Sequence, residues 1–216
     1  MFIGHFAVAL GAKRVAPAVS LGTLFLAAQL ADLLWPNFVL LGFERVEIAP
    51  GATAVTPLDF VSYPYSHSLL ALALWGGLAA MLYRGFGRSW TAGITVAAVV
   101  LSHWVLDVIS HRSDMPLAFG NTRVGLGLWY SVPATVLVEG SLFLLGVAMY
   151  ARFTRARDRI GRIGFWALVG LLIVIYGANL VGPPPPNVAT VAWAAQAMWL
   201  LVAWAYWVDR HRVSRV

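Results

Sequence analysis

Residues 102–111 read Ser102-His103-Trp104-Val105-Leu106-Asp107-Val108-Ile109-Ser110-His111 and close an apolar run that starts near residue 89. A run from 89 to 111 supplies the roughly 20 residues, at about 1.5 Å each, that a helix needs to cross a hydrocarbon core. Helical spacing of four advances about 400°, so His103, Asp107 and His111 drift only about 40° per step and share one face. Ionisable side chains inside an apolar span are costly and mark a functional site by default. This stretch therefore predicts a transmembrane helix that carries a stripe of ligand-type residues. His103 and Asp107 can reach one ion, whereas His103 and His111 stand about 12 Å apart along an ideal helix, too far for a single zinc ion. Either Asp107 bridges two metals, or the helix ends before His111 and the chain folds back. The plainer alternative is a neutralised His103–Asp107 pair joining two helices.

Composition extends that reading to the whole chain. Of 216 residues, 60% are apolar and 11% charged, with a mean hydropathy of +0.77, whereas a soluble domain is nearer a quarter charged. Apolar runs near 17–35, 64–83, 89–111, 131–151, 163–181 and 188–208 predict an all-α polytopic membrane bundle of six spans, forming one domain over 1–216. The stretch from Phe2 to Ala12 covers under ~20 Å as a helix and is read as a half-membrane helix. Lys13 and Arg14 follow it rather than precede it, against the order of a cleaved signal peptide, so the N-terminus is expected to be retained. The absence of cysteine excludes disulfides, thiolate metal sites and cysteine nucleophiles.

The basic residues sort by loop. Lys13, Arg14, Arg84, Arg88, Arg152, Arg155, Arg157, Arg159, Arg162, Arg210, Arg212 and Arg215 fall on one side, and Arg45, Arg112 and Arg123 on the other. Twelve against three is a strong positive-inside bias, so the +6 formal charge sets orientation and does not indicate a nucleic-acid partner. The C-terminus is expected in the cytoplasm and loops 36–63, 112–130 and 182–187 outside. The first of these loops is expected to fold over the outer mouth, and Gly120, Asn121, Gly125 and Gly127 suggest a small hairpin in the second.

With that topology, Asp32, His67, His103, Asp107, His111 and Glu139 all approach the outer leaflet from different helices. His5 joins them if the short first helix starts on that side. Oxygen and nitrogen donors alone suit zinc, manganese or iron. Pro36 is expected to end the first span just after Asp32, Ser66 or Ser68 to cap a helix at His67, and Glu139 to serve as acid/base or final ligand. Asp59, Asp114 and Asp209 are read as solvated charges and His211 as part of the basic tail.

From about residue 4 to 112 the chain resembles the bacterial membrane-bound metal-dependent hydrolase family of the inner membrane. The likeness is carried by Gly4-His5, by Asp32, by Ser66-His67-Ser68-Leu69, and by Ser102-His103 followed by Asp107. That resemblance implies that His5, Asp32, His67, His103 and Asp107 are metal ligands or catalytic-site residues; His111 and Glu139 are added by helix position. The family also carries an Asp and a His just after its first Asp, where this chain has Leu34 and Trp35, and a His-Arg pair where Ser62 and Tyr63 stand. The stretch from Leu128 to Pro186 is similar to a widespread bacterial membrane protein without assigned function. The implied function is hydrolysis of a lipid or other amphiphilic ester or phosphoester by a divalent metal held by His5, His67, His103 and Asp107, with Asp32 or Glu139 taking the proton. Expected partners are membrane lipids and a small-molecule or lipid substrate. The alternative is a small permease that handles protons or metal ions. The topology predicts that a C-terminal tag in intact cells stays unmodified by a membrane-impermeant reagent; modification from outside inverts the orientation.

Overall fold

A computed structural model describes residues 1–215 of the chain. The elements are α1 (Ile3–Val15), α2 (Leu21–Ala28), α3 (Leu30–Leu40), β1 (Arg45–Ile48), β2 (Leu58–Ser62), α4 (Pro64–His67), α5 (Leu69–Gly85), α6 (Trp90–Ser110), β3 (Met115–Pro116), β4 (Arg123–Val124), α7 (Val132–Phe153), β5 (Thr154–Ala156), α8 (Arg159–Val181), α9 (Val188–Ala195), α10 (Met198–Arg210) and β6 (Arg212–Ser214). The protein is a helical bundle of membrane type. Leu74, Leu78, Met81, Leu144, Leu145, Ile173, Val174 and Leu200 point outward and exposed, an apolar exterior that needs lipid rather than water around it.

The helix count departs from six clean crossings. α6, α7, α8 and the run from Val188 to Arg210 are each long and apolar enough to span a membrane, and α2 with α3 makes a fifth only as a pair bent by 51°. The bend lies at Gln29 (φ −103°, ψ 9°), so Pro36 does not end the helix that carries Asp32. α3 continues through Pro36 to Leu40. The expected span 64–83 is likewise divided: Ser68 is extended (φ −72°, ψ 150°), its hydroxyl accepts from the Ala71 amide, and α5 keeps 17 residues, about 26 Å. Nor is the chain wholly α-helical, since β1–β2, β3–β4 and β5–β6 form three separate two-stranded antiparallel sheets. The β3–β4 hairpin falls in the loop where glycines predicted one.

Small residues allow the helices to approach closely. A Cβ at Gly76 would lie 3.2 Å from the Ala97 carbonyl, and one at Gly93 3.1 Å from that of Ala80, which brings α5 against α6. A Cβ at Gly146 would lie 2.5 Å from the Ala7 carbonyl, so α1 packs directly on the α7 backbone. This is packing by shape, the association mode open to helices that gain no hydrophobic driving force from each other in lipid. It holds the N-terminal end of α1 beside the C-terminal half of α6, where the Met1 ammonium pairs with Asp107.

At the opposite end, β5 pairs with β6, Lys13 pairs with Asp209 (3.0 Å) and His211 with Asp158 (2.7 Å). Neither Asp209 nor His211 is thus a bare tail charge. Buried Arg212 donates to Thr154 Oγ1 and the Gly161 carbonyl and lies over the Tyr150 and Phe165 rings, which pins the tail to the start of α8.

Gly146→Ala is expected to lower stability by about 1–3 kcal/mol, the usual cost of overpacking. Gly140→Ala, on the same helix with open space around it, is expected to be neutral or stabilising by up to ~1 kcal/mol. Thermal unfolding of both variants in detergent checks the pair.

Candidate metal centre

Five ionisable side chains meet where α1, α3, α4 and α6 converge. On α6 the buried face runs through Val96, Val100, His103, Leu106, Asp107 and Ser110, so the stripe seen in the sequence is the face turned into the bundle. His5 comes from the first turn of α1, Asp32 from the first turn of α3 just past the bend, and His67 is the last residue of α4. His5, His67, His103 and Asp107 are buried; the Asp32 side chain is 26% exposed and is the open side of the group.

His67 Nε2 lies 3.3 Å from Asp32 Oδ1 and 3.9 Å from Asp107 Oδ2. His103 Nε2 lies 3.8 Å from Asp32 Oδ1 and 3.1 Å from Asp107 Oδ2. Four donors around one ion at about 2.0–2.1 Å stand about 3.3 Å apart in a tetrahedron, and these four edges bracket that value. Asp32, His67 and His103 form a group that could hold a metal ion, and Asp107 Oδ2 adjoins it through His103 and His67.

The other face of each ring decides which nitrogen carries hydrogen. His103 Nδ1 lies 2.7 Å from the Ala28 carbonyl, which accepts only, so Nδ1 is the donor. Ala28 is the last residue of α2, just before the bend. His67 Nδ1 lies 2.7 Å from Ser66 Oγ, whose hydroxyl is 2.6 Å from Glu44 Oε2. With Nδ1 protonated, each Nε2 directs a lone pair at carboxylate oxygens unless it carries a second proton. His103 Nε2 makes no hydrogen bond among the described residues. Bare lone pairs facing carboxylates repel, and a cation between them removes that repulsion.

His5 meets the group from the other oxygen of Asp107. Its Nε2 lies 3.1 Å from Asp107 Oδ1, the oxygen turned away from His67, and its ring stacks on His103 at 3.7 Å between centroids. It can join a second donor group with His103 and Asp107, or it can donate to Asp107 and orient it.

Two expected members are engaged elsewhere. Glu139 Oε2 accepts the Phe2 amide at 2.9 Å, so the carboxylate serves the free N–H groups at the start of α1. His111 is the residue after the last turn of α6, with ψ 152°. The chain folds back there, and His111 Nδ1 meets Asp114 Oδ1 at 3.0 Å and the Tyr63 hydroxyl at 3.3 Å, while its ring packs 4.2 Å from Trp129. Asp114 also accepts from Tyr63 and Arg112, and Arg112 pairs with Asp59. Neither aspartate is a solvated loop charge; together they tie β2 to the 111–130 loop over the site. Glu44, which no sequence motif marked, is 3% exposed and belongs to the support of His67.

No family model matches the chain, and no curated protein or solved structure does either.

Burial works to raise the Asp114 carboxyl, but the hydrogen bonds from His111, Arg112 and Tyr63 outweigh it and hold it below the ordinary carboxylate range. Its stabilisation is complete above the unfolded value of about 3.9 and is lost as pH falls through the lower folded value. Asp114→Asn should cost about 1–3 kcal/mol at neutral pH and should flatten the acid side of a melting-temperature profile below pH ~4.

Proposed function

We propose that this protein is an integral-membrane metal-dependent hydrolase in which His67, His103, Asp32 and Asp107 hold one divalent ion. The observation that carries the reading is the pair of histidines whose Nδ1 atoms are committed to Ala28 and Ser66. Their Nε2 atoms converge on two carboxylates, leaving a donor set of two nitrogens and two oxygens with two negative charges to balance. That set suits zinc, manganese or iron. When bound, such an ion supplies Lewis acidity and lowers the pKa of a coordinated water.

The chain's own residues do the rest. Asp107 is oriented through Oδ1 by His5 and the Met1 ammonium, which leaves Oδ2 for the ion. Asp32, on the open side, is where a substrate group or water would meet the site. The apolar walls and the lipid-facing exterior favour an amphiphilic ester or phosphoester. In this reading the arginine-rich end faces a bacterial cytoplasm, and α2–α3, α4–α5 and α9–α10 serve as broken crossings that complete six spans with the site near the outer leaflet.

A second reading has its own observation. Four protein donors on one ion would complete a tetrahedral shell, as in sites that bind metal without turning over substrate, so the same side chains support a metal-handling or permease role.

Elemental analysis of detergent-purified protein, after loosely held ions are removed, is expected to find close to one metal per chain in the wild type. His103→Ala and Asp107→Asn should lose it while still eluting as folded protein. Unchanged metal content in both variants, or none in the wild type after reconstitution, overturns the site. Turnover of lipid ester and phosphoester substrates by the loaded wild type then separates hydrolysis from metal handling.

A further inference from the structure

Glu44 lies in the turn between α3 and β1, remote in sequence from every candidate ligand. Gly42, with φ +76°, reverses the chain after α3, and the Phe43 and Glu44 amides both donate to the Phe38 carbonyl (2.8 and 3.1 Å). That reversal aims the Glu44 side chain back under α4. Oε1 accepts the Tyr65 and Ser66 amides, each at 2.8 Å, and Oε2 accepts the Ser66 hydroxyl at 2.6 Å.

A hydroxyl has one hydrogen. Because a carboxylate only accepts, the Ser66 hydrogen points at Glu44, and the lone pairs of Ser66 Oγ remain for His67 Nδ1 at 2.7 Å. The imidazole must then supply the hydrogen of that contact. The opposite arrangement, with hydrogen only on Nε2, would place a hydrogen-free serine oxygen against Glu44 at 2.6 Å or bare Nδ1 against bare Oγ. Neither is tolerable in a buried site.

We propose that Glu44 is a positioning residue that acts through Ser66 to fix hydrogen on His67 Nδ1, leaving Nε2 to face Asp32 and Asp107 as a ligand. The inference rests on the metal reading above for its purpose, although not for its geometry. It also accounts for a glutamate buried beside a four-residue helix, where capping alone would need only the two amide bonds.

The proposal makes a directional demand. In Glu44→Gln, the amide oxygen stays with the two backbone donors and the NH₂ group faces Ser66 Oγ. Serine must then turn its hydrogen towards His67 Nδ1, and the ring hydrogen moves to Nε2. Ser66→Ala keeps both amide bonds to Glu44 but breaks the relay, whereas Ser66→Thr retains a hydroxyl and should behave as wild type.

Two readouts test this on the full-length protein in detergent. Ring ¹⁵N NMR of histidine-labelled, metal-free protein, with His67 assigned by its substitution, should show protonated Nδ1 in wild type and Ser66→Thr. It should show protonated Nε2 with bare Nδ1 in Glu44→Gln. A wild-type His67 with bare Nδ1, or a Glu44→Gln ring like wild type, overturns the proposal whether or not metal binds. Chelator competition with Zn²⁺ should show affinity lowered about 10–100-fold in Glu44→Gln and Ser66→Ala, the usual cost of losing such a support, and near wild type in Ser66→Thr. Wild-type affinity in both disrupted variants overturns the relay. Failure of the wild type to bind Zn²⁺ at all strikes the metal reading, and the NMR result then decides the hydrogen placement alone.

Discussion

Asp107 sits in the last turn of an apolar helix, 2% exposed, and a buried carboxylate has to be neutralised or matched. Its two oxygens are used differently: Oδ1 meets His5 and the Met1 ammonium, and Oδ2 faces His103 and His67. Several departures from a plain bundle gather around it. The short first helix is brought to it by direct backbone packing at Gly146, the bend at Gln29 brings Asp32 alongside, and the break at Ser68 leaves His67 at the end of its own turn. The bend and the break cost regular helix hydrogen bonding, which a membrane protein tolerates where the irregular backbone lies inside the protein or lines a cavity.

The breaks are themselves part of the support. Ala28, at the end of α2, uses its carbonyl to receive His103 Nδ1. Glu44 receives the free amides at the start of α4 and, through Ser66, reaches His67. A carbonyl freed by a kink thus becomes the partner of the His103 ring, and amides freed by the other break hold the carboxylate behind the His67 ring, so each ring is oriented from its far side. His5 lacks an equivalent, since its Nδ1 has no partner among the described residues, and this separates it from the other two histidines.

Over the site, the β1–β2 pair and the 111–130 loop are joined by Tyr63, His111, Asp114, Arg112 and Asp59. The network resembles the buried group below it in residue type but differs in logic. Its charges are paired directly, with arginine and tyrosine supplying the hydrogens, so the lid network is self-sufficient. The lower group sets carboxylates against imidazoles and the Met1 ammonium instead, and the proposed metal ion would balance the charge that remains.

What the sequence alone determined was what local periodicity and composition can carry. The apolar runs marked a helical membrane protein. The four-residue spacing put His103 and Asp107 on one face, because both lie within a single regular helix, and glycines in the 112–130 loop marked a hairpin. The same rule left His111 open between a continued helix and a chain that folds back, since helix periodicity says nothing of where the last turn stops. Pro36 looked like a terminator, yet the bend came seven residues earlier at Gln29, where no strong breaker stands. Only the tertiary structure decided the roles of Glu139, Asp114 and Glu44. Their partners lie at Phe2, Tyr63 and Ser66, contacts made across helices and loops, and a hydrogen bond between residues 22 to 137 positions apart leaves no periodic trace. Nor could spacing say which imidazole nitrogen carries the hydrogen, because that is set by the acceptor behind each ring, and those acceptors arrive only when the bent and broken helices pack.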